Sequence, residues 1–259
     1  MRIIVPIRQI LDPRGFTVSR RHERIFVNCE EYMINPNDKN ALEVALSIKD
    51  ASGAEVIAVT VGQLRLDDAL REAMAMGADA AYLLTDETLA KTDAAGAAKA
   101  LAKGIEKIGD FDLIVTGQET LDTSDAQLGP WLAEYFGVAQ VGGVREAAVG
   151  NGALRVKRNW GAGYAEVEVA PPVLLTVAPQ ANKPRYPHGG RIMAAYREWQ
   201  VTTWNSADLG LEAADLAPRT QGRGQTFPPE RTLGERLTGS PQDVAAELVQ
   251  QLRLRRIIE

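Results

Sequence analysis

A chain of 259 residues with 45% hydrophobic and 24% charged residues has the composition of a globular protein with a sizeable core. Its formal net charge of −5 argues against a nucleic-acid binder, and no apolar run approaches the roughly 20 residues that span a bilayer. The single cysteine, Cys29, excludes an internal disulfide, and two histidines, His22 and His188, are too few to favour a His/Cys metal site. These features predict a soluble, cytoplasmic protein.

Strand and helix patterns alternate over the first half of the chain. Apolar runs predict buried strands at 2–7, 55–61, 80–84 and 113–116, and helical patterns follow at 35–48, 66–76, 93–109 and 126–136. A short hairpin is also predicted over residues 16–28. The alternation predicts an α/β fold, with a mostly parallel sheet covered by helices on both faces.

The pattern changes after residue 143. Two extended runs flank Asn151-Gly152, a dipeptide typical of a hairpin turn, so an antiparallel hairpin region is expected in the C-terminal half. Residues 179–193 are rich in Pro and Gly and predict a loop. Residues 206–239 predict an extended arm, and Ser240-Pro241 predicts the start of an amphipathic terminal helix. The expected division is therefore 1–200 and 201–259.

The segment from Leu113 to Phe136 combines a strand, a polar loop and a helix start. Gly117 ends the strand, a cluster of Asp, Thr and Ser follows at 122–125, and the helical pattern begins at Ala126. The free N–H groups and the positive dipole end of such a helix attract anions, so the segment predicts a site for a nucleotide phosphate. The alternative interpretation is ordinary capping of the helix by Thr123 or Ser124.

A second helix start lies at Asn35-Pro36-Asn37-Asp38. Asn35 suits the N-cap, Pro36 the first helical position and Asp38 the first turn, so capping alone would explain these residues. Ligands of parallel sheets bind beyond the carboxyl ends of the strands. The loops at Pro6, 35–38, Val61 and 117–128 are therefore predicted to line one crevice.

Recognisable catalytic motifs are absent from the sequence. It contains no Walker A sequence, no SGGxDS pyrophosphatase loop, no G-x-S-x-G elbow and no HExxH helix. Two scattered histidines and one cysteine do not provide a nucleophile with its base and orienting group. The sequence therefore favours a binding protein over a hydrolase.

Three stretches resemble the β subunit of electron transfer flavoproteins, a family that includes the FixA proteins. The tetrapeptide at 35–38, with Ala41 and Glu43, is similar to the family's NPxDxxAxE segment. Residues 70–79, LREAMAMGAD, are similar to its LRxxLAMGAD helix. Residues 182–186, NKPRY, followed by Ile192-Met193, resemble its NEPRY…IM loop. The resemblance covers nearly the whole chain.

The resemblance implies a fold related to adenine-nucleotide α-hydrolases and a heterodimer with an α subunit, which holds most of the electron-carrying FAD. It implies an electron carrier rather than an enzyme, exchanging electrons with dehydrogenase and quinone-reductase type partners. Residues 1–200 would hold AMP or, in electron-bifurcating members, a second FAD, and residues 201–259 would dock on the α subunit. The positions carried over to the nucleotide site are Pro6, Asn35, Asp38, Val61, Gly117, Asp122, Ser124, Asp125, Ala126, Gln127 and Leu128.

The recognition loop at 179–193 is implied to bind redox partners. The positions carried over to it are Pro184, Arg185, Tyr186, Gly189 and Met193. In the family, the position of Gly189 usually holds a leucine that anchors an acyl-CoA dehydrogenase. Glycine cannot supply such an apolar anchor, so weak coupling to these dehydrogenases is expected.

Residues 122–130, DTSDAQLGP, leave the choice between AMP and FAD open. AMP-binding members of the family usually carry DxCNQTG here, and bifurcating members DGDTAQVGP. The chain matches the second type in Ala126, Gln127, Gly129 and Pro130. Asp125, however, stands where a threonine hydroxyl would face a phosphate, and a carboxylate there repels the phosphate.

Two other functions compete with this interpretation. A stand-alone adenine-nucleotide sensor of the universal-stress type would share the sheet and the phosphate loop, without needing the 182–193 loop or the C-terminal arm. An enzyme that uses bound ATP is disfavoured by the missing pyrophosphatase loop. The expected location is the cytoplasm, or the mitochondrial matrix in a eukaryote.

Overall fold

The computed structural model describes residues 1–63, 66–150, 152–221, 223, 226–229 and 234–259. The chain falls into two compact units. The first comprises Met1–Val18 and Ile25–Arg223, and the second Ser19–Arg24 and Gly224–Glu259.

The strands are β1 (Arg2–Pro6), β2 (Gln9–Leu11), β3 (Phe16–Ser19), β4 (Arg24–Val27), β5 (Tyr32–Ile34), β6 (Glu55–Val61), β7 (Ala80–Leu84), β8 (Leu113–Gly117), β9 (Ala139–Gly150), β10 (Ala153–Trp160), β11 (Gly163–Val169), β12 (Val173–Val177) and β13 (Thr202–Trp204). The helices are α1 (Pro36–Ser52), α2 (Asp67–Met76), α3 (Ala94–Ile108), α4 (Leu128–Phe136), α5 (Gly189–Arg197) and α6 (Pro241–Leu254).

Nine of these strands form one sheet, in the order β11-β10-β9-β12-β8-β1-β6-β7-β13. The seven strands from β9 to β13 in this order pair in parallel, whereas β10 and β11 continue the sheet in antiparallel pairs. The mostly parallel sheet and the antiparallel hairpin region are thus confirmed. From β1 the chain first adds β6 and β7 on one side and later β8 on the other, so the β1–β8 junction is the topological switch point, where ligands of such sheets bind.

Helices cover both faces of the sheet, as predicted. Ile3 and Val5 point to the face that packs on α1 and α2, while the intervening Ile4 packs with residues of α3 and α4 on the other face. Because β1 is apolar on both faces after Arg2 and lies in the middle of the sheet, it is buried from Ile3 to Pro6. The core therefore consists of two apolar layers, one on each face of the parallel strands.

Residues 202–216 belong to the first unit, although the sequence predicts a boundary at residue 200 and an arm from 206. Strand β13 pairs with β7, and Leu209, Leu211 and Leu216 are buried in the same layer as residues of α3. Lys99 of α3 also pairs with Asp215 at 2.5 Å. The polar, turn-rich composition of the segment predicted an extended arm, but the burial of these three leucines holds the segment on the core.

Other differences from the sequence prediction are local. Residues 189–197 form helix α5, where the sequence predicts a loop through 193, and His188 Nδ1 accepts a hydrogen bond from the Gly190 N–H at 3.2 Å as its cap. The short strands β2 and β5 are not predicted either. The predicted hairpin turn is flanked by β9 and β10, with Gly152 at φ 81°, but Asn151 lies outside the described residues.

The second unit contains the predicted terminal helix, α6. Ser240 Oγ accepts a hydrogen bond from the Asp243 N–H at 3.2 Å, and Pro241 is the first helical residue, so the predicted start is confirmed. None of the described residues of this helix is buried, and Leu254 is 71% exposed. Over the described chain, no helix combines the length and apolarity that crossing a membrane requires.

Candidate functional site

Asp38 ties together the two strand ends that form the switch point. Its Oδ2 accepts a hydrogen bond from the backbone N–H of Arg8, directly beyond β1, at 2.9 Å. Its Oδ1 accepts one from the N–H of Gly117, at the end of β8, at 3.2 Å. The first turn of α1 therefore holds the carboxyl ends of β1 and β8 in a fixed relation, at the sheet edge where the sequence predicts the crevice.

The neighbouring asparagines hold the loop that follows β8. The side-chain amides of Asn35 and Asn37 donate to the carbonyl oxygen of Glu119 at 3.0 and 2.8 Å, and Asn35 Oδ1 accepts from the N–H of Leu121 at 3.2 Å. Within the described chain, Asn35 makes no side-chain capping bond to α1. The predicted helix start is confirmed, with Asn35 as the N-cap residue and Pro36 as the first helical residue, but the Asn35 side chain binds another loop instead of capping the helix.

Gly117 allows the close approach of these segments. A Cβ at this position would lie 2.4 Å from Asp38 Oδ1 and 2.8 Å from the Asn37 carbonyl carbon. Both distances are far inside van der Waals contact, and the second partner is backbone that cannot swing away. A side chain at residue 117 would therefore push α1 away from β8.

Burial changes the acidity of Asp38. Its side chain is almost inaccessible to solvent, and loss of hydration raises its pKa to about 7. Hydrogen bonds from the Arg8 N–H, the Asn35 side chain and the Gly117 N–H act in the opposite direction, because they favour the carboxylate. Since both of its oxygens bind backbone N–H groups, Asp38 positions the crevice walls.

The loop between β8 and α4 has an unusual backbone. Ser124 and Ala126 have φ of 50° and 53°, a region that residues other than glycine rarely adopt. Residues 121–127 are all exposed. Strained, exposed backbone of this kind is concentrated at functional sites, which makes this loop a candidate for ligand binding.

The capping interpretation of this loop is wrong. Thr123 Oγ1 lies 3.0 Å from Thr120 Oγ1, and Ser124 Oγ donates to the Thr120 carbonyl oxygen at 3.1 Å. Helix α4 begins at Leu128, two residues later than predicted, and among the described residues no side chain caps it. Among the described residues, the N–H groups of Leu128 and Gly129 thus remain available to an anion, whereas Pro130 has no N–H and the Gln127 N–H lies 3.4 Å from Asp125 Oδ1.

Close packing fixes the N-terminus of α4 at the end of β12. A Cβ on Gly129 would lie 2.4 Å from Thr176 Cγ2, so only glycine permits this contact. Thr116, beside Thr176 in the sheet register, is 1% exposed, and its hydroxyl oxygen has no hydrogen-bond partner among the described residues. A buried polar atom and an uncapped helix end at the same sheet edge fit a polar ligand.

Arg8 is the site residue that the sequence analysis missed. Its guanidinium group lies 2.8 Å from the Asp122 carboxylate, which joins the segment after β1 to the loop after β8. The signal in the sequence that could have identified Arg8 is a cationic residue just beyond the end of the first parallel strand. The structure brings the predicted residues at 35, 38, 117 and 122 together through hydrogen bonds and this ion pair. It places Pro6 and Val61 at the ends of the adjacent strands β1 and β6.

The predicted partner-docking residues lie elsewhere, and α1 holds them in place. Arg185 Nε and Nη2 each donate to the Glu43 carboxylate at 3.0 Å, and the Arg185 N–H donates to Glu43 Oε2 at 2.8 Å. Asn182 and Asn40 exchange amide hydrogen bonds at 2.8–2.9 Å. The segment at 182–185 is thus fastened to the middle of α1.

Reciprocal arginine contacts fasten the following helix, α5, to α2. Arg191 donates to the carbonyl oxygens of Met74 and Ala75, near the end of α2, at 2.8 and 3.0 Å. In return, Arg71 of α2 donates to the Trp199 carbonyl oxygen at 3.1 Å and also to that of Ala195. Each arginine satisfies carbonyl groups at the other helix end, so the motifs at 70–79 and 182–193 stabilise one joint structure.

The surface of this joint structure is open. Tyr186 is 91% exposed and Met193 54% exposed, and no described atom lies within 4 Å of a Cβ built on Gly189. Pro184, Arg185 and Tyr186 border a cavity of about 630 Å³ between this segment, β5 and α2. The candidate docking surface therefore has two exposed side chains with apolar groups, Tyr186 and Met193, and between them in sequence Gly189, which has no side chain.

A family model described as the electron transfer flavoprotein domain matches residues 25–209, which is most of the chain. The chain belongs to the electron transfer flavoprotein family. The resemblance found in the motifs is thereby confirmed. In this electron transfer flavoprotein chain the match covers the loops at 35–38, Val61 and 117–128 and the 182–193 segment. That extent favours the family interpretation over a stand-alone sensor.

Curated relatives of this electron transfer flavoprotein chain include β subunits. It is 36% identical over 261 residues to the electron transfer flavoprotein subunit beta of Thermoanaerobacterium thermosaccharolyticum, covering 100% of both chains. It is 37% identical over 263 residues to the caffeyl-CoA reductase-Etf complex subunit CarD of Acetobacterium woodii, again covering 100% of both. Protein FixA of Azorhizobium caulinodans is 33% identical over 219 residues, which are 82% of this chain and 78% of FixA.

Proposed function

We propose that this chain is the β subunit of a heterodimeric electron transfer flavoprotein and that it holds one adenine nucleotide at the switch-point crevice. Its partner is an α subunit that carries the electron-transferring FAD. The chain acts as an electron carrier subunit without a catalytic residue of its own. The observation that carries the proposal is the uncapped N-terminus of α4, set beside strand ends that Asp38 locks in place.

The nucleotide phosphate is proposed to lie over residues 124–128. The first N–H groups of α4 and its positive dipole end favour a negative charge there. The two strained residues, Ser124 and Ala126, shape the loop around the helix start. Pro6 and Val61, at the ends of β1 and β6, are proposed to line the crevice beside it.

AMP and a second FAD both match part of this site. The sequence at 126–130 favours the FAD type, whereas Asp125 opposes a closely held pyrophosphate. Asp125 Oδ1 lies 3.4 Å from the Gln127 N–H, so its carboxylate is already directed at the start of α4. A ligand with one phosphate meets less of this repulsion than a ligand with two.

The nucleotide content of the purified heterodimer tests the proposal. The complex is denatured, and the released flavin and AMP are separated and quantified against protein. Two FAD per heterodimer would establish a second flavin in this subunit. One FAD with one AMP would establish that the crevice holds AMP. A heterodimer that releases a single FAD and no other nucleotide would overturn the assignment of the crevice.

Partner docking is proposed at the surface formed by residues 184–193. Tyr186 and Met193 offer exposed apolar area there, and Arg185 and Arg191 are committed to holding the segment in place. The terminal helix α6, with its exposed apolar residues, is proposed to dock on the α subunit.

A further inference from the structure

The backbone of Arg8 is anchored on both sides. Its N–H donates to Asp38 Oδ2 at 2.9 Å, and its carbonyl oxygen accepts from the Asn35 N–H at 2.8 Å. The side chain, in contrast, is 50% exposed. The backbone of Arg8 is thus fixed just beyond the central strand β1, and its cationic side chain lies at the opening of the proposed crevice.

The present partner of Arg8 holds it only weakly. The ion pair with Asp122 is 2.8 Å long, and the Asp122 side chain is 36% exposed. Pairs this accessible to water contribute little net stability, because each group is well hydrated when they separate. A phosphate group offers a guanidinium more negative charge and a two-pronged set of acceptors.

The charge balance of the phosphate loop requires a cation from another segment. Residues 117–130 contain Glu119, Asp122 and Asp125 but no lysine or arginine. Lys39, on the first turns of α1, is paired with Glu72 of α2 at 2.6 Å and is therefore engaged elsewhere. In the part of the chain that the structure describes, Arg8 is the cation that forms an ion pair with this acidic loop.

We propose that Arg8 binds the phosphate of the nucleotide, exchanging the Asp122 carboxylate for it. This inference rests on the proposed nucleotide site and adds a residue outside the positions carried over from the family. In the exchange, the guanidinium group neutralises the charge that Asp125 would otherwise repel. Asp122 then acts as the resting partner of Arg8, so that removing Asp122 frees the cation for the ligand.

The experiment compares a nucleotide with its nucleoside. The heterodimer is depleted of exchangeable nucleotide by dialysis and titrated with AMP and with adenosine, which lacks the phosphate. The variants are Arg8→Gln, Arg8→Lys and Asp122→Asn, each as the full-length heterodimer. The α-subunit flavin absorbance and the thermal unfolding midpoint show that each variant is assembled and folded.

The inference predicts opposite effects for the two partners. Arg8→Gln is expected to weaken AMP binding about tenfold or more and to leave adenosine binding unchanged, because charge-assisted hydrogen bonds to phosphate are lost. Arg8→Lys keeps the charge and is expected to lose less. Asp122→Asn is expected to raise AMP affinity a few-fold, because the Arg8 guanidinium group no longer has to leave a carboxylate.

Two results would overturn the inference while leaving the proposed site intact. One is an equal loss of AMP and adenosine affinity in Arg8→Gln, which would mean that Arg8 only positions the loop. The other is equal or weaker AMP binding in Asp122→Asn, which would mean that the Asp122 carboxylate does not compete with the phosphate for Arg8. Failure of the parent heterodimer to bind either compound, in a preparation that releases a single FAD, would instead overturn the nucleotide site itself.

Discussion

Asp38 and Glu43 lie five residues apart on α1 and fasten two different parts of the chain. Asp38 accepts hydrogen bonds from the ends of β1 and β8, whereas Glu43 binds Arg185 in the proposed docking segment. A single helix thus holds the proposed nucleotide crevice through its first turn and the proposed docking surface through its next turns. In this chain, the residues at both acidic positions of the NPxDxxAxE motif make these contacts.

Replacing Glu43 with glutamine is expected to loosen the docking segment. The Glu43 side chain is only 13% exposed, and an amide accepts fewer of the Arg185 hydrogen bonds, so we expect a loss of roughly 1–3 kcal/mol in unfolding free energy. Amide hydrogen exchange should accelerate at 183–186. Asp50→Asn is the control, because Asp50 is 61% exposed and binds Arg185 from the surface. Equal exchange rates in both variants would contradict the prediction.

Asp38→Asn is expected to change how stability depends on pH. Because burial raises the pKa of Asp38 to about 7, the folded state keeps a proton that the unfolded chain releases near pH 4. The contribution of Asp38 to stability is therefore present below about pH 4, is lost as the pH rises to about 7, and is constant above that. Asparagine does not titrate.

Urea unfolding of both proteins at several pH values checks this. The difference in unfolding free energy, parent minus Asp38→Asn, should decrease between about pH 4 and 7. A difference that increases over this range would show that the N–H bonds from Arg8 and Gly117 outweigh burial.

Gly117→Ala is expected to destabilise the fold by roughly 1–3 kcal/mol, because its Cβ would collide with Asp38 and the α1 backbone. Gly150→Ala is the matched control, since no described atom lies within 4 Å of the added Cβ and the residue belongs to strand β9. Denaturant midpoints compare the two. Similar midpoints would mean that α1 and β8 separate without strain.

A chain ending at Arg223 is expected to fold but to lose its α subunit. The cut removes α6, whose Leu248, Val249 and Leu254 are 41–71% exposed, and keeps the first compact unit. The thermal unfolding midpoint should be retained while co-purification with α is abolished. A second cut at residue 206 would also remove Leu209, Leu211 and Leu216 and should destabilise the fold. Unchanged α binding by the chain ending at Arg223 would refute the proposed docking of α6.

Gly189→Leu is expected to improve coupling to a medium-chain acyl-CoA dehydrogenase, provided that the surrounding surface fits. The added side chain has room, because no described atom lies within 4 Å of its Cβ. A buried leucine contributes roughly 2–4 kcal/mol, or about 30- to 1,000-fold in affinity. Reduction of the heterodimer by the dehydrogenase measures the effect, with Gly189→Ala as control. Efficient reduction of the parent protein would show that the leucine anchor is dispensable.

The overall architecture could be predicted because its signals are local. Apolar strands alternating with capped helices indicated the parallel sheet, and Gly117 marked the end of β8. The identity of the crevice loops followed from topology alone, since the carboxyl ends of parallel strands meet at one edge. Asn35, Asp38, Gly117 and Asp122 were therefore expected near each other before any contact was known.

The roles of these residues were less predictable, because side-chain partners are set by tertiary structure. Asn35 had the signature of an N-cap yet binds a loop more than eighty residues away. Arg8 carried no motif, and its meeting with Asp122 depends on β1 and β8 becoming neighbours. Helix α5 was not predicted because it begins with two glycines, which usually indicate a loop. It is stabilised by contacts such as that of Arg191 with the Met74 carbonyl oxygen of α2, which the sequence does not reveal.

The central position of β1 has a consequence for how the protein folds during synthesis. β1 leaves the ribosome before the other strands of the sheet, but it pairs with β8, where Ile3 lies opposite Leu113, over a hundred residues later. Parallel pairing over such separations is slow, and an apolar strand with an unpaired edge is prone to aggregate meanwhile. A nascent chain that stops before β8 therefore lacks one side of the proposed crevice, so binding of the proposed nucleotide must follow the synthesis of β8.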